Sequence, residues 1–279
     1  MRVLVTGATG RVGSRFVPRL LHQGEEVRVL ARDGGRAEPL ARRGAEVLVG
    51  DLRDPDALKR AVGGVDAVVN LAAAFRGVPE EETVAVTRDA ALALADAALA
   101  AGVGRHVLAS TNLVYGPGRG RPAREDDQPR PGGAYPTAKL AAETSLQDQR
   151  REGLGLRIVR LAFVYGEGDP HLAESLRWAR DWPAHQRLQL VHHADVGQAL
   201  LLALRAGGVD GRVYNAADDA PVSAVELYAL NHEQPPPDAG ARPLDDPWAG
   251  IVDTTRIRRE LGFRPIYPSV WTAPDAGAL

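Results

Sequence analysis

The fold of this chain is decided by its opening stretch, Val3-Leu4-Val5-Thr6-Gly7-Ala8-Thr9-Gly10-Arg11-Val12-Gly13. A short apolar run passes into three glycines spaced GxxGxxG, and a helical repeat of apolar residues follows, which predicts a strand, a turn and a helix. In that turn Gly7 allows the tight bend, Gly10 lets a phosphate approach the backbone, and Gly13 lets the helix pack closely on the sheet. The helix N-terminus adds N–H groups and a positive dipole end. The stretch therefore predicts a site for the pyrophosphate of a dinucleotide.

Apolar runs and helical patterns continue to alternate beyond this stretch. The predicted strands cover residues 2–6, 26–31, 46–49, 66–71, 105–110 and 156–162. Because the intervening segments are long enough for crossover helices, the strands are expected to form a parallel sheet covered on both faces. The expected fold class is α/β, a doubly wound Rossmann sheet that binds ligands at the carboxyl ends of its strands.

The pattern changes after about residue 166, where a smaller unit is predicted. Trp178 and Trp182 recur at helical spacing, residues 231–250 are rich in Pro, Asp and Gly, and residues 253–262 resemble a short helix. The tryptophans are expected to pack inside this unit rather than to wall a substrate pocket. The expected organisation is a dinucleotide-binding core and a small C-terminal substrate-binding cap, at residues 1–165 with 188–216 returning to the sheet, and mainly at 166–279.

Composition narrows the classes of partner. The 279 residues carry a formal net charge of −2, so no global field favours nucleic acid or an anionic membrane. The sequence contains no cysteine, which excludes disulfides, thiolate metal sites and cysteine nucleophiles. No stretch has the apolar length of a membrane span, and the N-terminal apolar run is too short for a signal peptide. We expect a cytoplasmic protein that acts on a small-molecule substrate, with neither nucleic acid nor membrane as a partner.

The residues after the second predicted strand bear on the choice of cofactor. That strand ends at Ala31 and is followed by Arg32 and Asp33. An acid at this position would bind a ribose 2′-hydroxyl and favour NAD(H), whereas Arg32 would pair with a 2′-phosphate and favour NADP(H). Both remain open, because a shift of one residue brings Asp33 into position. NADP(H) is favoured over NAD(H).

Two later strand ends are expected to contact the same cofactor. Asp51 either meets the adenine amino group, with Leu52 against the ring, or caps the following helix. The fourth predicted strand ends in Asn70-Leu71-Ala72-Ala73, and small side chains there would let the cofactor lie close to the backbone.

A proton-transfer site is indicated by Tyr135-Pro136-Thr137-Ala138-Lys139, because residues i and i+4 share one face of a helix. This lysine is one of only two in the chain. An ammonium group near the ring favours the phenolate, so Tyr135 could exchange a proton with a carbonyl or an alcohol. Ser110 and Thr111, at the end of the fifth predicted strand, either hold the carbonyl oxygen or cap the loop.

Together these segments resemble the extended form of the short-chain dehydrogenase/reductase superfamily, also called the NAD-dependent epimerase/dehydratase family. The matching segments, in the family's order, are Gly7–Gly13, Asp51-Leu52, Asn70–Ala73, Ser110–Gly116, Tyr135–Lys139, His192–Val196 and Asp253–Pro265. The resemblance implies reversible hydride transfer at nicotinamide C4, with Thr111 as the catalytic hydroxyl, Tyr135 as the acid/base, and Lys139 holding the nicotinamide ribose. The cofactor contacts expected in full are Gly7, Thr9, Gly10, Arg11, Val12, Gly13, Arg32, Asp51, Leu52, Leu71, Ala72, Ala73, Tyr135 and Lys139.

Departures from the family pattern narrow the expected substrate. Sugar-nucleotide 4,6-dehydratases of the family carry Thr-Asp-Glu where this chain has Thr111-Asn112-Leu113, and leucine cannot transfer a proton. Sugar-nucleotide members also carry an asparagine where this chain has Phe163. The segment between residues 166 and 192 is shorter than the family's usual substrate region. A smaller, less polar substrate is expected.

The leading hypothesis is an NAD(P)-dependent oxidoreductase acting on a ketone or secondary alcohol. An epimerase of a sugar-like substrate and a non-catalytic dinucleotide sensor are the alternatives. Residues 87–101 are almost all alanine and leucine, so this helix is either buried or part of an oligomer interface, and a homodimer is expected.

Two other clusters are not expected to be functional sites. His192 and His193 point in different directions, and no further spaced ligand follows Asp195, so they are interpreted as a turn into a helix at 195–206 rather than as a metal site. The loop from Arg119 to Arg124 is interpreted as solvated rather than as a lid over an anionic substrate.

Overall fold

The computed structural model describes residues 1–75, 77–150 and 153–279, and most of its strands lie in one central sheet. In chain order the strands are β1 (Arg2–Thr6), β2 (Glu26–Ala31), β3 (Glu46–Val49), β4 (Ala67–Asn70), β5 (Arg105–Thr111), β6 (Leu156–Leu161), β7 (Phe163–Tyr165), β8 (Arg187–Leu188), β9 (Leu190–His192), β10 (Arg212–Ala216) and β11 (Val222–Ser223). Seven of them form a parallel sheet in the order β3-β2-β1-β4-β5-β6-β10. The strand order reverses between β1 and β4, which is the switch point where such sheets bind ligands.

Helices cover both faces of this sheet. In chain order the α-helices of the described residues, including those outside these two layers, are α1 (Gly13–His22), α2 (Gly34–Ala41), α3 (Pro55–Val62), α4 (Glu80–Val84), α5 (Ala90–Ala100), α6 (Ala134–Arg150), α7 (His171–Glu174), α8 (Leu176–Ala179), α9 (His193–Arg205), α10 (Ala224–Leu230), α11 (Thr255–Leu261) and α12 (Thr272–Asp275). Val3 and Val5 of β1 pack in the layer that holds α1, α2 and α9, whereas Leu4 packs in the layer that holds α3 and α5. α6 lies beside α5 on that second face. Alternation along buried parallel strands thus builds the two layers.

The doubly wound α/β fold predicted from the sequence is confirmed. The first three predicted strands are found without change. The fourth is longer than the observed strand by one residue at each end, and the fifth and sixth differ by one residue at the C-terminal end. The helix expected at 195–206 begins two residues earlier, at His193. None of the described helices is both long and apolar enough to cross a membrane.

A smaller apolar cluster lies beside the sheet, built from β7, β8, β11, α7, α8, α10 and α12, which we call the cap. Its buried residues include Tyr165, Leu172 and Leu227. Trp182 packs against this cluster, and Trp178 lies edge-on to the Phe163 ring with centroids 6.4 Å apart. These contacts agree with the packing interpretation of the two tryptophans.

Two helices differ from what the sequence predicts. The helix expected at 253–262 in the cap is α11, which packs on β10 and α9, because Ile257 and Phe263 are buried in the main core. The helix expected over 87–101 starts as a π-helical turn at Ala85–Asp89 and continues as α5. One face of α5 is buried within the chain through Leu94 and its neighbours, so the burial alternative holds for that face.

Candidate active site

The glycine turn joins β1 to α1 at the switch point. Gly7 has a φ of +67°, and a Cβ there would lie 2.7 Å from the backbone nitrogen of Ala72, so glycine is required. A Cβ on Gly13 would overlap the carbonyl oxygen of Gly7. At Gly10 the nearest atom to a Cβ would be that same oxygen, at 3.2 Å. The turn itself therefore demands Gly7 and Gly13, while Gly10 keeps an open backbone face that fits the approach of a pyrophosphate.

A cavity of about 210 Å³ lies beside this turn. Arg36 and Arg53, which the sequence analysis missed, line it, although the spacing of four residues between Arg32 and Arg36 could have indicated the first of them. Nine predicted cofactor contacts line the same cavity, namely Gly7, Thr9, Gly10, Arg32, Asp51, Leu52, Leu71, Ala72 and Ala73. Asn70 supports this wall, because its Oδ1 accepts hydrogen bonds from the Thr6 hydroxyl and the Ala72 N–H.

The acidic residues near this cavity have separate tasks. Asp33 caps α2 by accepting N–H groups of Gly35 and Arg36. Asp54, rather than Asp51, caps α3. Asp51 instead pairs with Arg53 at 2.8 Å, and this hydrogen-bonded ion pair lowers the pKa of Asp51 to about 2.

Thr111, Tyr135 and Lys139 line one cavity of about 260 Å³ beyond the carboxyl end of β5. Tyr135 and Lys139 share a face of α6, with Nζ 6.0 Å from the centre of the tyrosine ring. Lys139 is buried, and its Nζ donates to the carbonyl oxygen of Ala109 at 2.7 Å. Burial lowers the pKa of Lys139 to about 8, although the charge of Glu143 acts in the opposite direction.

The other groups at the end of β5 are fixed by short-range contacts. Thr111 Oγ1 accepts the N–H of Leu113 and so caps a 3₁₀ turn at Asn112–Val114, while its hydroxyl proton remains able to bind a ligand in the cavity. The ring of Tyr135 packs against Phe75 with centroids 4.3 Å apart. Both alternatives considered for Thr111 are therefore compatible in one conformation.

A buried ion pair lies behind these residues and was not foreseen from the sequence. Arg160 Nη2 lies 2.6 Å from Glu143 Oε2, and the Ser110 hydroxyl donates to the same carboxylate. The guanidinium also packs over the Tyr115 ring at 4.8 Å. Glu143 follows Lys139 by four residues, so extending the spacing that joined Tyr135 to Lys139 would have found it.

The outer wall of the larger cavity comes mainly from the cap and neighbouring loops. The two departures from the family pattern, Leu113 and Phe163, both line it. Phe163 stacks on His171 with centroids 3.9 Å apart and planes inclined by 18°. Arg187 also lines the cavity, donating to the carbonyl oxygen of Pro247 at 2.7 Å. The space above the predicted catalytic residues is therefore largely apolar, with a few polar groups.

Arg11 and Val12, predicted to contact the cofactor, line this larger cavity. The guanidinium of Arg11 forms ion pairs with Asp169 at 3.0 Å and Glu174 at 2.8 Å. Asp169 in turn lies 2.9 Å from Nε2 of His193. These contacts join the glycine turn to the cap.

The remaining polar segments are structural in this arrangement. His192 caps α9 and bonds to the carbonyl oxygen of Ala278, and Asp195 accepts N–H groups of Ile266 and Tyr267. Over 1–75, 77–150 and 153–279, no group of three or more histidine or acidic side chains could hold a metal ion.

The loop from Arg119 to Arg124 lies at the surface and is held there by several contacts. Arg119 donates to the carbonyl oxygens of Tyr115 and Gln128, while Arg121 and Arg124 form ion pairs with carboxylates at 2.7 and 3.2 Å. Arg121 and Arg124 remain exposed while they make these contacts, and no residue of the loop lines the larger cavity, which agrees with the solvated interpretation rather than with a lid.

Comparison with known proteins places these features in context. The model of the NAD dependent epimerase/dehydratase family matches residues 3–217. A dTDP-glucose 4,6-dehydratase from Streptomyces griseus is 32% identical over 292 residues, covering 94% of this chain and 89% of the relative. A 4-hydroxy-2-methyl-3-oxo-4-farnesyl-3,4-dihydroquinoline-1-oxide ketoreductase from Stigmatella aurantiaca is 31% identical over 242 residues, covering 82% of this chain and 72% of the relative.

A solved structure shares the whole architecture. A short-chain dehydrogenase/reductase superfamily protein from Agrobacterium tumefaciens, with bound NAD, superposes with a TM-score of 0.80 and 26% identity, covering 99% of this chain and 97% of that chain.

Proposed function

The chain belongs to the NAD dependent epimerase/dehydratase family, and from this premise we propose that it is an NAD(P)-dependent oxidoreductase that interconverts a ketone and a secondary alcohol of a small molecule. The observation that carries the proposal is the convergence of Thr111, Tyr135 and Lys139 on one cavity at the carboxyl edge of the sheet. The cap over 166–279 supplies much of the substrate wall, and the core over 1–165, with 188–216, supplies the cofactor site.

In this function Tyr135 gives a proton to the carbonyl oxygen during reduction and takes it back during oxidation. Thr111 donates its hydroxyl proton to the same oxygen. Lys139 places a cation beside the ring of Tyr135, which favours the phenolate, and it holds the nicotinamide ribose. A bound nicotinamide supplies or accepts the hydride at C4.

NADP(H) is proposed as the preferred cofactor. Arg32, Arg36 and Arg53 line the cavity beside the glycine turn, whereas Asp33 is used as a helix cap. Guanidinium groups suit a 2′-phosphate, because they bind its oxygens through charged hydrogen bonds.

Titration with NADPH and NADH tests the preference. NADPH is expected to bind at least about tenfold more tightly, which corresponds to roughly 1.4 kcal/mol. Arg32→Ala is expected to remove most of that difference. Arg42→Ala is the matched control, because Arg42 is exposed and pairs with Glu38 outside the cavity. NADH binding tenfold tighter than NADPH would overturn the preference.

The substrate is proposed to be small and weakly polar. Leu113, Phe163 and Leu188 give the cavity apolar walls, which suit a weakly polar carbon skeleton. The Stigmatella relative is by name a ketoreductase of a farnesyl-substituted ring, which is the reaction class proposed for this chain.

The central test is ketone-dependent oxidation of NADPH by the protein and by Tyr135→Phe. The variant is expected to lose at least about 100-fold in kcat, since general acid catalysis contributes that much, while its affinity for NADPH stays within a few-fold. An epimerase of a sugar-like substrate would convert substrate without net change in NADPH. A cellular role that survives Tyr135→Phe would instead indicate a non-catalytic dinucleotide sensor.

A homodimer is proposed through the outer sides of α5 and α6. The two helices lie side by side, and the small side chains of α5 allow close approach of partner helices. Leu92 and Leu99 of α5 are only partly buried within the chain. Light scattering is expected to give twice the chain mass of 29.7 kDa, and a mass equal to one chain would refute the dimer.

A further inference from the structure

We propose that His193 is a substrate-binding residue, whose Nδ1 accepts a hydrogen bond from a hydroxyl group that the substrate carries in addition to its reacting carbonyl. The inference rests on the proposed function, because it concerns the same cavity. His193 begins α9, and its side chain lines the cavity that contains Thr111, Tyr135 and Lys139. α9 and α6 cover opposite faces of the sheet, so His193 and Tyr135 reach this cavity from different helices.

Asp169 determines which nitrogen of this imidazole carries the proton. Its Oδ2 lies 2.9 Å from Nε2 of His193, and both side chains are 1% exposed. Burial would raise the pKa of Asp169, but hydrogen bonds from His193 and the His171 N–H, with the charge of Arg11, outweigh it and lower that pKa. The ionised carboxylate accepts the Nε2 proton. Arg11 pairs with the same carboxylate, and in this tautomer of His193 the lone pair lies on Nδ1.

Nδ1 of His193 is buried and has no hydrogen-bond partner within the described parts of the chain. A buried acceptor without a donor costs about 1–3 kcal/mol, so such an atom calls for an explanation. Because the His193 side chain lines the cavity, we take a ligand bound there as the missing donor.

The other polar side chains of this wall are already engaged. Asn112 donates to the carbonyl oxygen of Gly250 at 2.8 Å. Gln189 donates to the carbonyl oxygen of Asp218 and accepts the N–H of Val252. These contacts tie the segment around Gly250 to the sheet, whereas Nδ1 of His193 is a buried polar atom of this wall for which the described residues supply no partner.

The chemical class that follows is a hydroxyketone in the direction of reduction and a diol in the direction of oxidation. The apolar wall formed by Leu113 and Phe163 accommodates the carbon skeleton, Tyr135 and Thr111 take the reacting oxygen, and His193 takes the second oxygen as a donor.

Kinetics with cyclohexanone, its 2-, 3- and 4-hydroxy derivatives and their methyl ethers tests the inference. We expect one hydroxyketone to exceed both cyclohexanone and its own methyl ether at least tenfold in kcat/KM. His193→Phe, which keeps a ring, should reduce the ratio of kcat/KM for the hydroxyketone to kcat/KM for its methyl ether to about one, mainly through KM. His193→Gln restores an acceptor oxygen and should recover part of it.

Two carboxyl variants complete this experiment. Asp169→Asn should lower the ratio, because the amide no longer fixes the Nε2 proton. Glu174→Gln is the matched control, since it removes the other partner of Arg11 and leaves Asp169 and His193 in place. Two results would overturn the inference and leave the proposed function standing. One is turnover that depends on Tyr135 but shows the same kcat/KM for the hydroxyketone, cyclohexanone and the methyl ether. The other is a preference for the hydroxyketone that stays unchanged in His193→Phe.

Long-range ¹H–¹⁵N spectra of the imidazole rings give a readout without activity. The His193 signals are assigned by their loss in His193→Phe. We expect the proton on Nε2 at neutral pH, and a shift of the bare Nδ1 signal when the hydroxyketone is added with NADP⁺. A proton on Nδ1, or no shift, counts against the inference. A shift without any turnover would instead refute the proposed function alone.

Discussion

Single residues at the switch point either hold the turn or hold a ligand. Gly7 and Gly13 hold the turn, since a Cβ at either position would meet backbone atoms. Asp33 holds the start of α2. Gly10 takes part in the turn through its backbone hydrogen bonds to Gly7 and Ser14. A Cβ at Gly10 would come near only the Gly7 carbonyl oxygen, and both Gly10 and Arg32 border the cavity beside the turn. The separation means that stability and cofactor affinity should respond to different substitutions.

The glycines allow this separation to be measured. Gly13→Ala is expected to lower the free energy of unfolding by about 2 kcal/mol, because the new methyl group overlaps the Gly7 carbonyl oxygen. The free energy of unfolding of Gly10→Ala should lie within about 0.5 kcal/mol of that of the unchanged protein, but this variant should bind NADPH at least tenfold more weakly. Urea denaturation and a fluorescence titration give the two quantities. Equal destabilisation by both changes, or full affinity in Gly10→Ala, would contradict this division.

At the scale of elements, α6 connects the chemistry to the sheet. Tyr135, Lys139 and Glu143 follow one another at intervals of four, so one face of the helix carries all three. The first two line the cavity, and the third anchors the helix to Arg160 of β6. The position of the predicted acid/base therefore depends on an ion pair that lies behind it.

Glu143→Gln tests the importance of that anchor. Breaking a buried pair leaves a buried charge without a partner, so the free energy of unfolding should fall by about 3 kcal/mol. The pKa of Lys139 should drop further below about 8, because the carboxylate that raises it is gone. Chemical denaturation measures the first effect, and the pH dependence of kcat/KM measures the second. The double variant Glu143→Leu with Arg160→Met removes both charges and should recover much of the stability. If Glu143→Gln lowers the free energy of unfolding by less than about 1 kcal/mol, the pair does not anchor the helix.

Across the whole molecule, features set by neighbours along the chain could be predicted from the sequence. The strand–glycine–helix unit and the pairing of Tyr135 with Lys139 depend on local geometry, and both were predicted. Features set by packing could not be predicted. The contact of Arg11 with Asp169 joins the glycine turn to the cap, and the packing of α11 on β10 depends on which apolar surface is left open.

Stability should depend on pH through Asp218, which lies where the main sheet meets the cap. Its N–H donates to the carbonyl oxygen of Leu190. Burial, with the nearby carboxylates of Asp219 and Asp195, raises the pKa of Asp218 to about 8. The usual value is about 3.9, so between these limits the folded state holds a proton that the unfolded state has released. The contribution of Asp218 to the free energy of unfolding is therefore fully present below about pH 4 and is lost as the pH rises towards 8.

His106 has the opposite sign and sets the window in which Asp218 can be isolated. Burial lowers the pKa of His106 to about 4, so below about pH 6.5 the unfolded state takes up the extra proton and acid destabilises the fold. As the pH rises from 6.5 to 7.5, the free energy of unfolding should fall by on the order of 1 kcal/mol because of Asp218. Asp218→Asn should not show this fall. Urea denaturation at the two pH values measures the difference. His106→Leu is the control, since it should change the pH dependence of stability only on the acid side. If the free energy of unfolding falls equally between the two pH values in Asp218→Asn and in the unchanged protein, this carboxyl group is not protonated in the folded state.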